Sequence, residues 1–246
     1  MNRYKIKIEY DGTPFVGWQF QKNGTSVQKV LQDAILLFSQ EKTIVNGAGR
    51  TDSGVHAEEQ VAHFDLKKKI EKKKFIKGVN KYIGNYPISV LEVRKVSRKF
   101  HSRYDAKQRV YRYIIVNRSS RLSLLKNKAW HISKNLNILK MKKGSKMLVG
   151  THDFSTFRSS SCSANSPIKT LKKAKIKKRN NKIFIDFVSK SFLQQQVRSM
   201  VGCLKYLGEK KWSLKKFEKI FKSKKRTLNN APPAPAHGLF LEKVIY

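Results

Sequence analysis

Residues 48–57 read Ala48-Gly49-Arg50-Thr51-Asp52-Ser53-Gly54-Val55-His56-Ala57, and they decide how the first part of this chain is built. They place a turn between two segments whose residue patterns are typical of β-strands. One strand is predicted from Thr43 to Ala48, and another from about Glu59 to Leu66. Asp52 stands in the turn, with Arg50 two residues before it. A carboxylate held on a tight turn at the end of a strand is suited to act as a nucleophile or a base. The alternative is an Asx turn, in which Asp52 only caps the local backbone.

The segments on either side complete a β-α-β-β-α-β pattern. Arg3 to Tyr10 alternates apolar and charged residues, which predicts a half-buried strand. A helix is expected to begin after the N-cap Ser26 and to end near Ser39. A second helix is predicted from about Glu71 to Ile83, and a strand from Ile88 to Val96. This order is typical of the split unit of ferredoxin-like folds.

The second half of the chain repeats this plan loosely. The predicted elements are the strands Arg109–Val116, Lys169–Lys178, Ile183–Val188 and Leu239–Ile245, the helices Leu136–Leu148 and Phe192–Leu207, and a short basic helix capped by Ser213. We therefore expect an α+β fold of two ferredoxin-like (RRM-like) halves, residues 1–98 and 99–246. We expect the halves to share one continuous, mostly antiparallel sheet with a central cleft.

The charge of the chain indicates a polyanionic partner. Lys and Arg number 54 against 16 Asp and Glu, which gives a formal net charge of +38. Such a surface repels itself unless it lies against a polyanion, so nucleic acid is the expected partner and the cleft is expected to bind RNA. Runs such as Lys67–Lys69 and Lys72–Lys74 are also consistent with lysines that accumulated on solvated faces. Arginine supplies only 13 of the 54 cations, and these are better candidates for specific contacts.

Several other classes of protein are disfavoured by the same sequence. No apolar run approaches the length of a membrane-spanning helix, so we expect no membrane association and a cytoplasmic location. The two cysteines, Cys162 and Cys203, are far apart, and neither they nor the six histidines have the spacing of metal ligands. We expect reduced thiols and no metal.

Seven stretches of the chain, in order, resemble the motifs of the tRNA pseudouridine synthase A (TruA) family. They are Asp11–Gln21, Ser26–Gln28, Ala48–Ala57, Phe100–Arg103 with Ala106 and Arg109–Tyr113, Asp153–Arg158, Phe192–Leu193 with Val197-Arg198 and Val201-Gly202, and Gly238–Leu241. Blocks that keep their order from about residue 4 to the C-terminus do not arise by coincidence.

This resemblance implies an isomerase that converts uridine to pseudouridine at positions 38, 39 and 40 of the tRNA anticodon stem-loop, without a cofactor and as a homodimer. Asp52 would be the essential carboxylate, and Tyr111 would stack on the flipped uracil with its hydroxyl available for proton transfer. The alternative is that Tyr111 and Tyr113 are two core tyrosines, which is the interpretation we prefer for Tyr113. Arg50 would enter the RNA as the base flips out; a phosphate clamp or an ion pair with Asp52 are its alternatives. Arg198 would pair with Asp52 and keep it ionised, unless it is a surface arginine of its helix.

One departure from the family pattern and three alternative functions remain open. Gln194-Gln195-Gln196 stands where the family often carries His or Met, which puts the rim of the pocket in doubt but should leave the helix intact. The alternatives are a non-catalytic RNA-binding protein on the same scaffold, a ribosomal-type structural protein, and a synthase with a different RNA target. An acidic residue in a basic groove favours the enzymes, because binding alone does not need it.

Overall fold

The computed structural model describes all of residues 1–246, and the chain folds into two compact units. The first comprises residues 1–107 together with Phe240–Tyr246, and the second comprises residues 108–239. None of the helices is both long and apolar enough to cross a membrane. The functional division of the chain at residue 98 stays a prediction.

The first unit carries the predicted β-α-β-β-α-β order. Its elements are β1 (Asn2–Tyr10), α1 (Val27–Ser39), β2 (Asn46–Gly47), β3 (His56–Leu66), α2 (Lys72–Ile83) and β4 (Ile88–Val96). Strand β1 lies between β3 and β4 and is antiparallel to both, while β2 pairs antiparallel with β3. The resulting order β4-β1-β3-β2 is that of the split βαβ unit. The last strand of the chain (Leu239–Ile245) pairs in parallel with the first residues of β3.

Aromatic side chains join the helices of this unit to its sheet. Phe75 of α2 stacks on Phe64 of β3 with ring centroids 5.5 Å apart. The same ring meets Phe38 of α1 edge to face at 5.3 Å. Tyr4 of β1, the cross-strand partner of Phe64, stacks on the same ring at 5.8 Å. The alternation in β1 that predicted a half-buried strand therefore supplies one wall of this core.

The second unit is again mostly antiparallel. Its elements are β5 (Gln108–Asn117), β6 (Trp130–Ile132), α3 (Ile138–Met147), β7 (Gly150–Asp153), β8 (Ile168–Arg179), β9 (Lys182–Ser189), α4 (Gln196–Gly208) and α5 (Leu214–Lys222). With these numbered, the final strand Leu239–Ile245 is β10. The sheet order here is β5-β9-β8-β7, with β6 added in parallel to β5. The expected α+β class with a mostly antiparallel sheet is confirmed, whereas a sheet continuous from one half to the other and a cleft between the halves stay predictions.

Two predicted elements have a boundary more than three residues from the expected one. The strand predicted from Thr43 to Ala48 is reduced to β2, because side chains of α1 take the place of ladder bonds: Gln28 Nε2 donates to the Val45 carbonyl at 2.9 Å, and the Val45 N–H donates to Gln32 Oε1 at 3.1 Å. Helix α4 begins four residues later than predicted, because Gln195 adopts a left-handed conformation with φ of 61°. The remaining predicted helices and strands are present, with bounds that differ by at most three residues.

Candidate active site

Asp52 lies in a tight turn that joins β2 to β3. The Val55 N–H donates to the Asp52 carbonyl at 3.1 Å, and Gly54 has a φ of +75°. A hydrogen bond from the fourth residue to the first, with a positive φ at the third, is the geometry of a glycine-dependent β-turn. The Asp52 side chain is half-buried. The turn expected from the sequence is confirmed, and it presents the carboxylate at the end of a sheet strand.

The residue before Asp52 is fixed by the loop that follows β1. Thr51 is buried, and its hydroxyl lies 2.8 Å from the hydroxyl of Tyr10. Its carbonyl accepts a hydrogen bond from the Trp18 N–H at 3.1 Å. Gly17 has a φ of +117°, and a Cβ placed there would lie 2.8 Å from the Thr51 carbonyl oxygen. Only glycine allows so close an approach of the two loops in this conformation.

Two side-chain hydrogen bonds fix the rest of the turn. Ser53 Oγ donates to the Phe15 carbonyl at 3.1 Å. Gln60 is fully buried in β3, and its Nε2 donates to the Gly49 carbonyl at 2.8 Å. The Asp11–Gln21 stretch, which the sequence offered only as a family motif, is thus the framework of the Asp52 turn. How this stretch is placed against the turn depends on contacts between residues far apart in the sequence. The family resemblance was therefore the only signal in the sequence that pointed to it.

Arg50 is exposed on the approach to the turn. No carboxylate lies within ion-pair distance of its guanidinium, which disfavours the ion pair with Asp52 considered from the sequence.

Tyr111 and Tyr113 share one face of β5 in the second unit. The Tyr111 ring is 8% exposed and meets Phe192 edge to face at 5.2 Å. Tyr113 is completely buried, and its hydroxyl donates to the Pro235 carbonyl at 2.8 Å. Burial raises the pKa of Tyr113 far above its usual value, and the positive charge of Arg198 opposes part of that rise. The structure confirms Tyr113 as a core residue, and Tyr111 is largely buried with a small exposed fraction.

Arg198 is the third residue of α4, close to the start of that helix. Its Nε donates to the Ala234 carbonyl at 2.8 Å, and its own carbonyl accepts from the Ala234 N–H at 2.9 Å. The proline-rich connector lies directly against the helix, because a Cβ on Gly202 would meet the Pro232 carbonyl oxygen at 2.1 Å. Arg198 is therefore half-buried and bonded to Ala234 once through its side chain and once through its backbone, rather than a loose surface arginine.

The three glutamines before Arg198 shape the start of its helix. Gln196 is buried, and its Oε1 accepts from the Leu193 N–H at 2.8 Å. Its backbone N–H donates to the Leu193 carbonyl at 3.1 Å. This reciprocal contact folds residues 193–195 into a turn instead of helix. The helix survives, as expected, and Arg198 is placed in its first turn.

The structure thus brings the expected residues together in two sets. Arg50 and Asp52 lie on one loop of the first unit, and Tyr111 and Arg198 lie in the second unit with Tyr113 beside them. No group of three or more His, Cys, Asp or Glu side chains is arranged to hold a metal ion.

Comparison with known proteins gives one consistent result. A family described as tRNA pseudouridine synthase matches residues 6–105 and 145–246. A Pelagibacter ubique protein named tRNA pseudouridine synthase A is 61% identical over the full length of both chains. Proteins of the same name from Afipia carboxidovorans and Ehrlichia chaffeensis are 43% and 44% identical, over 100% and 99% of this chain and all of theirs.

Proposed function

The chain belongs to the tRNA pseudouridine synthase family, and from that premise we propose that it isomerises uridine to pseudouridine in tRNA, with Asp52 as the essential carboxylate. The observation that carries this proposal is the Asp52 turn. In a chain with 54 cationic and 16 acidic residues, one half-buried carboxylate is held on a turn braced by Tyr10, Phe15 and Trp18. A protein that only bound RNA would gain nothing from a fixed negative charge there.

The proposed reaction exchanges one glycosidic bond for another. The bond between N1 of uracil and C1′ of ribose breaks, the detached base turns, and C5 bonds to C1′. The hydrogen on C5 leaves as a proton, and N1 gains a proton, so atoms and electrons balance with no external reactant. Asp52 can serve by attacking the sugar, by attacking the base, or by removing a ribose proton.

The other site residues support that carboxylate. We assign Tyr111 to stacking on the extruded uracil, with its hydroxyl available for proton transfer. Arg198, fixed by Ala234, is assigned to pair with Asp52 and keep it ionised. Arg50 is assigned to the RNA strand, because its guanidinium is exposed and has no acidic partner in the chain.

The substrate proposed is the anticodon stem-loop of tRNA, at positions 38, 39 and 40. The net charge of +38 favours binding of the tRNA body through phosphates, with the shape of the stem-loop choosing the site. The family resemblance further supports a homodimer acting in the cytoplasm.

Mapping of the product tests this assignment. An unmodified tRNA transcript with uridine at all three positions is treated with the enzyme, and pseudouridine is located by carbodiimide adducts that stop primer extension. Stops at positions 38 to 40, absent from transcripts with cytidine there, are expected. Stops only elsewhere would move the substrate to another RNA site, and tight binding without any stop would favour a non-catalytic RNA-binding protein.

A further inference from the structure

We propose that His56, held by Asp11, is a positioning residue that fixes the exit of the Asp52 turn and thereby the catalytic geometry. The inference rests on the proposed function, because it concerns how well Asp52 is aimed. His56 is the first residue of β3, four residues after Asp52, and it is 1% exposed. A histidine this deeply buried must have its ring nitrogens satisfied by specific partners.

Two contacts converge on Nδ1 of His56. This nitrogen lies 2.9 Å from Oδ1 of Asp11 and 3.0 Å from the backbone nitrogen of Gly12. If Nδ1 carries the proton, it donates to the Asp11 carboxylate; if it does not, it accepts from the Gly12 N–H. Either tautomer therefore ties His56 to the loop that follows β1.

The loop on the other side of these contacts is itself anchored. Oδ1 of Asp11 accepts hydrogen bonds from the Thr13 N–H at 3.0 Å and the Thr13 hydroxyl at 2.6 Å. The Asp11 N–H donates to the Pro87 carbonyl at 3.0 Å, just before β4. A Cβ on Gly12 would lie 2.0 Å from the Val55 carbonyl oxygen, so this backbone lies directly against the catalytic turn. Asp11 thus fixes His56 relative to the sheet.

The plane of the ring is fixed as well. His56 pairs with Phe240 in the parallel register of β3 and β10, and the two rings stack with centroids 4.6 Å apart and planes 25° apart. The imidazole therefore has one orientation, and its Nδ1 points to one place. Thr51 secures the entrance of the turn and His56 secures its exit, with Asp52 between them.

Loss of the His56 contact should affect the chemical step rather than binding. Misplacement of a reacting group by about 1 Å costs roughly 10²-fold in rate. We expect His56→Ala to lower kcat by about 10- to 100-fold while KM stays within about twofold, because phosphate contacts elsewhere supply affinity.

Two conservative variants distinguish a positioning role of the His56 side chain from a role in which it only fills space. Asparagine places a polar atom two bonds from Cβ, where Nδ1 stands in histidine, so His56→Asn should recover most of the lost kcat. Glutamine moves that atom one methylene further, so His56→Gln should not. The matched control is His63→Ala, which removes another buried histidine further along β3 and should lower stability but leave kcat unchanged.

A double-mutant cycle tests the link to Asp11. If His56 acts through Asp11, the His56→Ala, Asp11→Ala double variant should lose no more kcat than the worse single variant. Tritium release from C5-labelled tRNA under saturating substrate is the readout for every variant.

Recovery in His56→Asn but not in His56→Gln, with non-additive losses, would support the positioning role. Wild-type kcat in His56→Ala, equal kcat in the Asn and Gln variants, or additive losses would overturn it. A wild-type protein that releases no tritium from any tRNA would instead refute the proposed function.

Discussion

Acidification should destabilise this protein through one buried histidine, His63. The side chain is 3% exposed in β3. Its Nδ1 lies 2.9 Å from the Ser102 hydroxyl and accepts a hydrogen bond from the Ser102 N–H at 3.2 Å. That hydroxyl already donates to the Asn46 carbonyl at 2.6 Å. Protonation of Nδ1 would remove the acceptor of the Ser102 N–H, so the site suits a neutral imidazole.

The size of the effect follows from the pKa of His63. Burial, and next the positive charge of Arg3 and the proximity of His101, lower this pKa from 6.5 to about 4. Below pH 6.5 the unfolded chain binds a proton on His63 that the folded protein does not bind. The contribution of His63 to the free energy of unfolding is therefore full above pH 6.5 and is lost as the pH falls towards 4. Integration gives a loss of about 2 kcal/mol in the free energy of unfolding between pH 7 and pH 5, and about 3 kcal/mol by pH 4.

Urea unfolding of the wild type and of His63→Asn at pH 7 and pH 5 measures this contribution. The pKa values of His101 and His237 are also lowered by burial and act in the same direction, so the difference between the two proteins is the quantity of interest. The loss of stability between the two pH values should be smaller in the variant by about 2 kcal/mol. His152→Asn, a control outside this cluster, should keep the wild-type loss. An equal loss in wild type and His63→Asn, or a His63 that titrates near 6.5 by NMR, would refute the reasoning.

Three further predictions concern the site. Tyr111→Phe should keep tRNA affinity within about twofold, since the ring still stacks, but lower kcat by roughly 10²-fold or more if the hydroxyl transfers a proton; an unchanged kcat in single-turnover assays would remove that role. Arg198→Lys should lower kcat at least about tenfold, because lysine keeps the charge but not the planar guanidinium that bonds Ala234, and a harmless substitution would contradict the pairing with Asp52. Affinity for tRNA, measured by filter binding, should fall by roughly 10³-fold or more between 50 and 200 mM salt if six to ten phosphates are contacted, and a flat response would mean that the lysines do not bind RNA.

Local patterns predicted most of the fold. The alternation in β1 and the apolar spacing in α1, with Ser26 as its N-cap, determine those elements without reference to the rest of the chain. The bounds of β4 and β10 agree with the predicted ones for the same reason. Where prediction was wrong, a side-chain hydrogen bond had replaced a local preference. Gln28 and Gln32 bond to Val45 in place of a strand partner, and Gln196 bonds to Leu193 before α4 begins.

The candidate site was predictable only in part. Asp52 stands out because carboxylates are scarce in this chain and because it precedes a glycine turn. The contacts that brace its turn join residues far apart in the sequence, such as Tyr10 and Thr51, which are 41 positions apart, and no periodicity reports such contacts. His56 was visible only as part of a motif, since its burial and its contact with Asp11 depend on the folded sheet.

The most direct test of the account is tritium release from tRNA labelled at C5 of uridine, with wild type, Asp52→Asn and Asp33→Asn compared side by side. The label leaves C5 only when that carbon bonds to the ribose. Asp33 is an exposed carboxylate of α1 that pairs with Lys29, so Asp33→Asn controls for the loss of one negative charge. We predict release by the wild type and by Asp33→Asn, and none by Asp52→Asn although it still binds tRNA. Release by Asp52→Asn above about a tenth of the wild-type rate would contradict the central claim, because loss of an essential carboxylate costs orders of magnitude.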